Sequence, residues 1–254
     1  MYEACAPRCL IAISGYHGAR NTRVTTGCNL VIKGFLFDLD GTLVDSERET
    51  AEAMARALSR HHAISIEQYD RDFIIGRSWI AIYDSLIQRY PKIRELWTRA
   101  EMITATAALR DEVIAELGVR VMPGAVEVLR WTRAAHRRAL VTGSSRQEVQ
   151  QILPHLGEHA VFETIVAAED VERSKPAPDG YLAALKTMGL APNEVIVIED
   201  SEAGITAGRD AGCVVLAVRA GNFGGWKQEH AHRVVETLDE LTPSLVESLG
   251  RDYG

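Results

Sequence analysis

Two aspartates one residue apart, Asp38 and Asp40, end the apolar run Phe35-Leu36-Phe37 and are followed by Gly41-Thr42. Carboxylates that close repel each other, and a chain that drives a buried strand into them needs a compensating charge. Three more segments carry reactive groups after short apolar runs: Thr142 after Ala139-Leu140-Val141, Lys175 in the stretch Arg173 to Pro178, and Glu199-Asp200 after Val195-Ile196-Val197-Ile198. Taken singly, an Asp or Thr after a strand is a turn or a helix cap. Local turn chemistry does not account for the set, in which one lysine faces four carboxylates.

The elements that must position these groups follow from the hydrophobic pattern. Val31 to Phe37 reads as a buried strand ended by Asp-Leu-Asp-Gly. Ser46 with Glu49 three places on reads as a capping box opening a helix with the stripe Ala53, Met54, Ala57, Leu58. From there to about Leu117 the pattern is helical throughout, with Ile80, Tyr83, Leu86 and Ile87 at helical spacing and Gly76 and Pro91 as punctuation. After Gly118 the rhythm changes. A helix from Pro123 to about His136 precedes the strand Ala139–Val141, and a helix from Arg146 to about Leu153 precedes the strand Thr164–Ala167. A helix from Asp179 to Met188, stopped by Gly189, precedes the strand Val195–Ile198; a helix after Ser201 precedes the strand Cys213–Val218; a last helix lies around Leu241–Leu249. Short apolar strands alternating with helices predict an α/β fold with a parallel sheet covered on both faces. The helical block interrupts that pattern as a second, all-α domain inserted just after the first strand. In such a sheet ligands bind beyond the carboxyl ends of the strands, where all four segments terminate.

The chain has 254 residues, 46% hydrophobic and 25% charged, with a formal charge of -7. That is room for one large domain or one domain with a smaller insert. The acidic balance argues against a general nucleic-acid binder, and no apolar run approaches the ~18 residues of a membrane span. Cys9-Leu10-Ile11-Ala12-Ile13 is too short for a signal h-region. Cys5 and Cys9 have zinc-like spacing but no His or second Cys pair nearby, so the four cysteines read as free thiols of a cytoplasmic protein. Residues 1–30 show neither a helical nor a strand period and read as a disordered or loosely attached extension, with a true start near Val31 as one explanation.

Asp38-Leu39-Asp40-Gly41-Thr42, Leu140-Val141-Thr142-Gly143-Ser144, Ser174-Lys175-Pro176 and Ile198-Glu199-Asp200-Ser201-Glu202-Ala203-Gly204, in that order, resemble the haloacid dehalogenase superfamily over roughly residues 31–245. The style is closest to its phosphatase and β-phosphoglucomutase branch. The resemblance implies a Rossmann-like core (31–45 and 119–254) and a helical cap (46–118). It implies Mg²⁺ held by Asp38, the backbone carbonyl of Asp40, and Asp200, with Glu199 direct or one shell out. Asp38 would be the nucleophile that forms an aspartyl-phosphate and Asp40 the general acid and then base. Lys175, the Thr142 hydroxyl and the Gly143 N–H at a helix start would bind phosphoryl oxygens. True dehalogenases of the superfamily lack an acid at the position of Asp40 and need no metal, so Asp40, Lys175 and the Glu-Asp pair favour phosphoryl transfer. The expected activity is Mg²⁺-dependent hydrolysis of a small phosphorylated metabolite, a sugar phosphate or phosphoglycolate-like compound, by a monomer or homodimer. A β-phosphoglucomutase-like phosphomutase and a non-catalytic phosphometabolite sensor are the alternatives.

Four further features invite a function. Arg77, in Gly76-Arg77-Ser78-Trp79, stands where such caps close over substrate and is a candidate specificity residue. His61-His62 reads as a helix end rather than a metal site. The tryptophans read as core or cap-interface packing. Arg130 to Arg138 reads as the solvated face of one amphipathic helix, and Gly221 to Gly225 as a flexible loop of open role.

Overall fold

The computed structural model describes residues 31–253; the readings made above for residues 1–30, including Cys5, Cys9 and Cys28, lie outside the described residues. In chain order the elements are β1 (Gly34–Phe37), β2 (Val44–Asp45), α1 (Glu47–His62), α2 (Gln68–Ile74), α3 (Trp79–Arg89), α4 (Lys92–Leu96), α5 (Arg99–Leu117), β3 (Arg120–Val121) and α6 (Ala125–Ala135). They continue with β4 (Arg137–Val141), α7 (Arg146–Ile152), β5 (Thr164–Val166), α8 (Asp179–Met188), β6 (Val195–Glu199), α9 (Glu202–Asp210), β7 (Val214–Val218), β8 (Arg233–Val235) and α10 (Pro243–Tyr253).

Six strands form one sheet in the order β5-β4-β1-β6-β7-β8, with every pairing parallel. Alternate residues of each strand enter different cores. Phe35, Phe37, Leu140, Ile196, Ile198 and Leu216 pack with residues of α6, α7 and α10. Leu36, Ala139, Val141, Val197, Val215 and Ala217 pack with residues of α8 and α9. Burial on both faces is why these strands read as unbroken apolar runs. The chain winds one way from β1 through β4 to β5 and the other way from β6 to β8, so β1 stands at the switch point where a crevice opens. The Asp38 N–H donates to the Ile198 carbonyl at 3.0 Å, which sets Asp38 beside the end of β6.

Helices α1 to α5 form the inserted all-α cap. Ala53 and Ala57 of α1 meet Leu109 and Val113 of α5, while Met54 and Leu58 join Met102 in the larger cap core. Both chain crossings are tied together where β2 pairs antiparallel with β3, Val44 against Val121 and Asp45 against Arg120.

Several local expectations are corrected. Ser46 is the N-cap of α1, but its oxygen accepts no capping N–H; its hydroxyl donates to Asp40. Helix α6 begins at Ala125 rather than Pro123, with Gly124 at φ 81° turning the chain into it. The basic run is not one helix: α6 ends at Ala135, and Arg138 is buried in β4, donating to the carbonyls of Leu129 (2.6 Å) and Val161 (2.5 Å). Trp226 is 46% exposed and lines a small cleft with Glu47 and Gly76 of the cap, at the cap interface and not in the core. The loop of open role meets the cap: a Cβ on Gly76 would lie 2.6 Å from the Gly224 nitrogen, so two glycines let the cap loop and the core loop touch backbone to backbone.

Candidate active site

The ends of β4, β1 and β6 stand side by side, and their polar groups sort into two clusters. The inner one surrounds Lys175. Its ammonium donates to Asp38 Oδ1 (2.5 Å), Glu199 Oε1 (2.6 Å) and the Val141 carbonyl (3.0 Å), and sits 5.2 Å from the centre of the Tyr181 ring. Burial alone would push the ammonium down, but the charges of Asp38 and Glu199 more than offset it and hold Lys175 well above the ordinary lysine value.

Glu199 is fully buried and accepts five hydrogen bonds. Lys175 and the Tyr181 hydroxyl (2.9 Å) reach Oε1; the N–H groups of Asp200 (3.0 Å) and Ser201 (3.1 Å) and the Ser201 hydroxyl (3.0 Å) reach Oε2. That exceeds the roughly four lone-pair sites of a carboxylate. Burial works against its charge, yet Lys175 and these donors keep it below the usual glutamate range. Helix α9 closes down on this carboxylate through Gly204, where any Cβ would overlap it. Gly204→Ala is therefore expected to destabilise the protein by about 1–3 kcal/mol through overpacking, although Gly to Ala in a helix interior ordinarily gains up to about 1 kcal/mol. A thermal melt gives the sign; a raised melting temperature would contradict the packing.

Asp38, Glu199 and Asp200 are buried, and each offers an oxygen within 4.8 Å of the others, the geometry of a metal-binding cluster. Asp200 also accepts from the Thr42 hydroxyl at 3.1 Å. Burial, aided by the charges of Glu199 and Asp38, raises the Asp200 carboxyl well above its ordinary value. Burial also pushes Asp38 up to about 8, with Lys175 opposing and Glu199 and Asp40 adding. Three acids against one ammonium leave a deficit of positive charge, which a bound divalent cation would correct.

The Asp40 carboxylate is not in that cluster. It faces the cap side, where it accepts from the hydroxyls of Ser46 and Ser144 (2.5 Å to the latter), with Thr142 at 3.5 Å and the guanidinium of Arg110 from α5 at 3.7 Å. Thr142 is buried and accepts the Ser144 N–H at 3.0 Å. Gly143 is exposed and lies in the loop ahead of α7, not at the helix start, because Ser145 is the N-cap. A cleft of about 500 Å³ separates this edge from the cap and is lined by Asp38, Asp40, Thr142, Gly143, Lys175 and Asp200 from below. Arg77 also lines it but is exposed, its guanidinium 5.3 Å above the Phe73 ring.

The sequence expectations gave no site role to Ser46, read only as a helix cap, or to Ser144, Tyr181 and Arg110. Ser144 stands inside a quoted motif, and Tyr181 is a polar residue on the buried side of α8. Arg110 continues the spacing of Ile103, Thr106 and Ala107, all of which line the cleft, so a charge on that α5 stripe was the available signal.

A parallel sheet with its acidic cluster at the switch point, under an inserted helical cap, defines a hydrolase of the haloacid dehalogenase type. The family model described as haloacid dehalogenase-like hydrolase matches residues 32–212, and the chain belongs to that family. Hexitol phosphatase A of Escherichia coli (strain K12) is 36% identical over 193 residues, covering 74% of this chain and 83% of that protein. Fructose-1-phosphate phosphatase YqaB of the same organism is 32% identical over 189 residues, covering 73% and 96%. The crystal structure of a putative beta-phosphoglucomutase from Thermotoga maritima shares the fold with a TM-score of 0.65 at 23% identity, covering 85% and 99%. Among the described residues no helix is long and apolar enough to cross a membrane.

Proposed function

We propose that the protein is a Mg²⁺-dependent phosphatase of small phosphorylated sugars or polyols, working through an aspartyl-phosphate. The observation that carries this is the division of the aspartate pair: Asp38 faces Lys175 and Asp200, while Asp40 faces hydroxyls and the cleft. Nucleophile and acid/base are thus separated by one residue yet kept in different surroundings, which two-step phosphoryl transfer requires.

Asp38 Oδ attacks phosphorus; the bond from phosphorus to the substrate oxygen breaks, and Asp40 delivers a proton to the departing alkoxide. Asp40 then takes a proton from water, the resulting hydroxide attacks the acyl phosphate, and inorganic phosphate leaves with Asp38 restored. Lys175 balances the negative charge of the phosphoryl group and of Asp38 throughout, held in place by Glu199. The Gly143 N–H, the Thr142 hydroxyl and the Ser144 hydroxyl stand at the same edge for phosphoryl oxygens. Asp38, Asp200 and the Asp40 carbonyl would hold Mg²⁺, with Glu199 behind them because its lone pairs are already engaged. When bound, Mg²⁺ keeps the carboxylates ionised and offsets their repulsion of phosphate.

The two relatives named as phosphatases of hexitol and fructose phosphates support hydrolysis of a sugar or polyol monoester. Phosphate release is the test, measured on hexitol phosphates, sugar phosphates, phosphoglycolate, nucleotides and an aryl phosphate, with Mg²⁺ and with EDTA. The expected result is metal-dependent release, fastest from a sugar or polyol phosphate. Absence of release from every compound would overturn the phosphatase reading and make isomerisation of glucose 1-phosphate the next assay.

A further inference from the structure

Two guanidinium groups line the cleft, and they differ in what they leave free. Arg77 is exposed. The Arg110 side chain is only 11% exposed. Its Nη1 donates to Glu148 on α7, its Nη2 lies 3.7 Å from Asp40 Oδ1, beyond hydrogen-bond distance, and its Nε is buried with no acceptor among the described residues. A buried donor without a partner is costly, and a guanidinium offers its donors as a planar fork. Glu148 anchors this fork. Its Oε2 closes the capping box of α7, accepting from the Ser145 N–H at 2.7 Å and hydroxyl at 2.9 Å, while Oε1 takes Arg110. Gln147 donates to Asp111 at 3.1 Å one residue along both helices. The cap arginine is thereby fixed to the start of the core helix that follows the Thr142–Ser144 loop.

We infer that Arg110 is a specificity-determining residue, whose Nη2 N–H groups take hydroxyl oxygens of the departing alcohol beside Asp40. The chemical class it selects is a phosphomonoester of a polyhydroxylated alcohol, over one whose alcohol carries no neighbouring hydroxyl. This rests on the phosphatase reading of the same site. The position fits: Asp40 is the residue assigned to the departing oxygen, so a donor next to Asp40 meets the leaving group rather than the phosphoryl group. The Glu148 contact means that the fork is presented when the cap is seated on α7.

The experiment compares wild type with Arg110→Gln, Arg110→Lys and Glu148→Gln on the best sugar or polyol phosphate of the panel and on p-nitrophenyl phosphate. Loss of a charge-assisted pair of hydrogen bonds is expected to lower kcat/KM for the polyol substrate by roughly 10- to 100-fold, with a much smaller loss on the aryl phosphate. Lysine keeps the charge but not the fork, so Arg110→Lys is expected to lose most of the same preference. Glu148→Gln retains a capping-box side chain and only loosens Arg110; it is expected to shift the ratio in the same direction by less, and it carries the test if the Arg110 variants do not fold. An unchanged ratio of the two specificity constants overturns the inference. So does a wild-type enzyme that prefers the aryl phosphate to every sugar and polyol ester, an outcome that leaves the phosphatase reading standing. Hydrolysis of neither substrate by the wild type overturns both.

Discussion

Asp38→Asn is expected to lower phosphate release on the order of 10⁴-fold or more, the scale of removing a covalent nucleophile, with the chain still folded. The two halves of that expectation have separate causes. The loss of rate follows because asparagine has the shape of the side chain without a carboxylate oxygen to attack phosphorus. The retained fold follows from the charges around position 38. Asp38 is buried near Glu199 and Asp40, and burial together with these charges outweighs Lys175 and disfavours its ionised form. A neutral side chain removes that repulsion, and Lys175 keeps Glu199 and the Val141 carbonyl as partners. Steady-state release of phosphate from the best substrate of the panel, alongside a thermal melt at neutral pH, reads both. More than about a hundredth of wild-type kcat in the variant would remove Asp38 from the role assigned to it. The same loss accompanied by unfolding would leave its role unproved and show instead that Lys175 depends on it.

What the sequence disclosed, and what it did not, divides along physical lines. The central strands were legible because both of their faces are buried, which forces continuous apolar runs such as Val195 to Ile198. The strand ends were legible because Asp38, Thr142 and Glu199-Asp200 stand directly after those runs, and a parallel sheet gathers such ends at one edge. Strand β8 passed unnoticed because an edge strand of three residues, Arg233 to Val235, is partly exposed and carries little hydrophobic signal. Ser46 was misread for a different reason. A serine at a helix start offers its hydroxyl equally to its own helix and to any carboxylate nearby, and only the fold brings Asp40 within reach. Arg138 looked solvated because arginine usually is, yet the carbonyls of Leu129 and Val161 satisfy it inside the sheet. Arg110 showed as a charge on the stripe of Ile103, Thr106 and Ala107, but only the fold turns that face of α5 to the cleft.

The stability of the metal-free protein is expected to fall as pH rises from about 7 to about 8, and Mg²⁺ is expected to remove most of that fall. The folded-state carboxyl of Asp38 is raised to about 8 from the ordinary 3.8. Between those values the folded protein holds a proton that the unfolded chain has released, so raising the pH favours unfolding until the folded-state value is passed. Asp200, raised by burial and by the charges of Glu199 and Asp38, acts with the same sign. Glu199 has the opposite sign, but its contribution is complete above the ordinary glutamate value of 4.5 and is lost only below it. Lys175, held above 10.5, stays protonated in both states across this window. His136 and His232 are lowered by burial and would add a rise in stability with pH up to the ordinary 6.5, which is why the comparison begins above that value. Metal binding requires the ionised carboxylates and releases their protons, so the cation gains affinity over the range in which the metal-free cluster loses stability. At a hundredfold excess over its Kd the ion would stabilise the fold by about 2.7 kcal/mol, or about 5–10 °C in melting temperature for a chain of this size. Thermal melts in EDTA and in Mg²⁺ at both pH values, with Asp38→Asn beside the wild type, measure all of this. The EDTA slope should flatten in the variant, since its side chain has no proton to lose. A metal-free melting temperature that climbs over this range would mean that Asp38 and Asp200 are not held protonated by burial, and a protein indifferent to Mg²⁺ at the upper pH would mean that they are not the cation-binding pair.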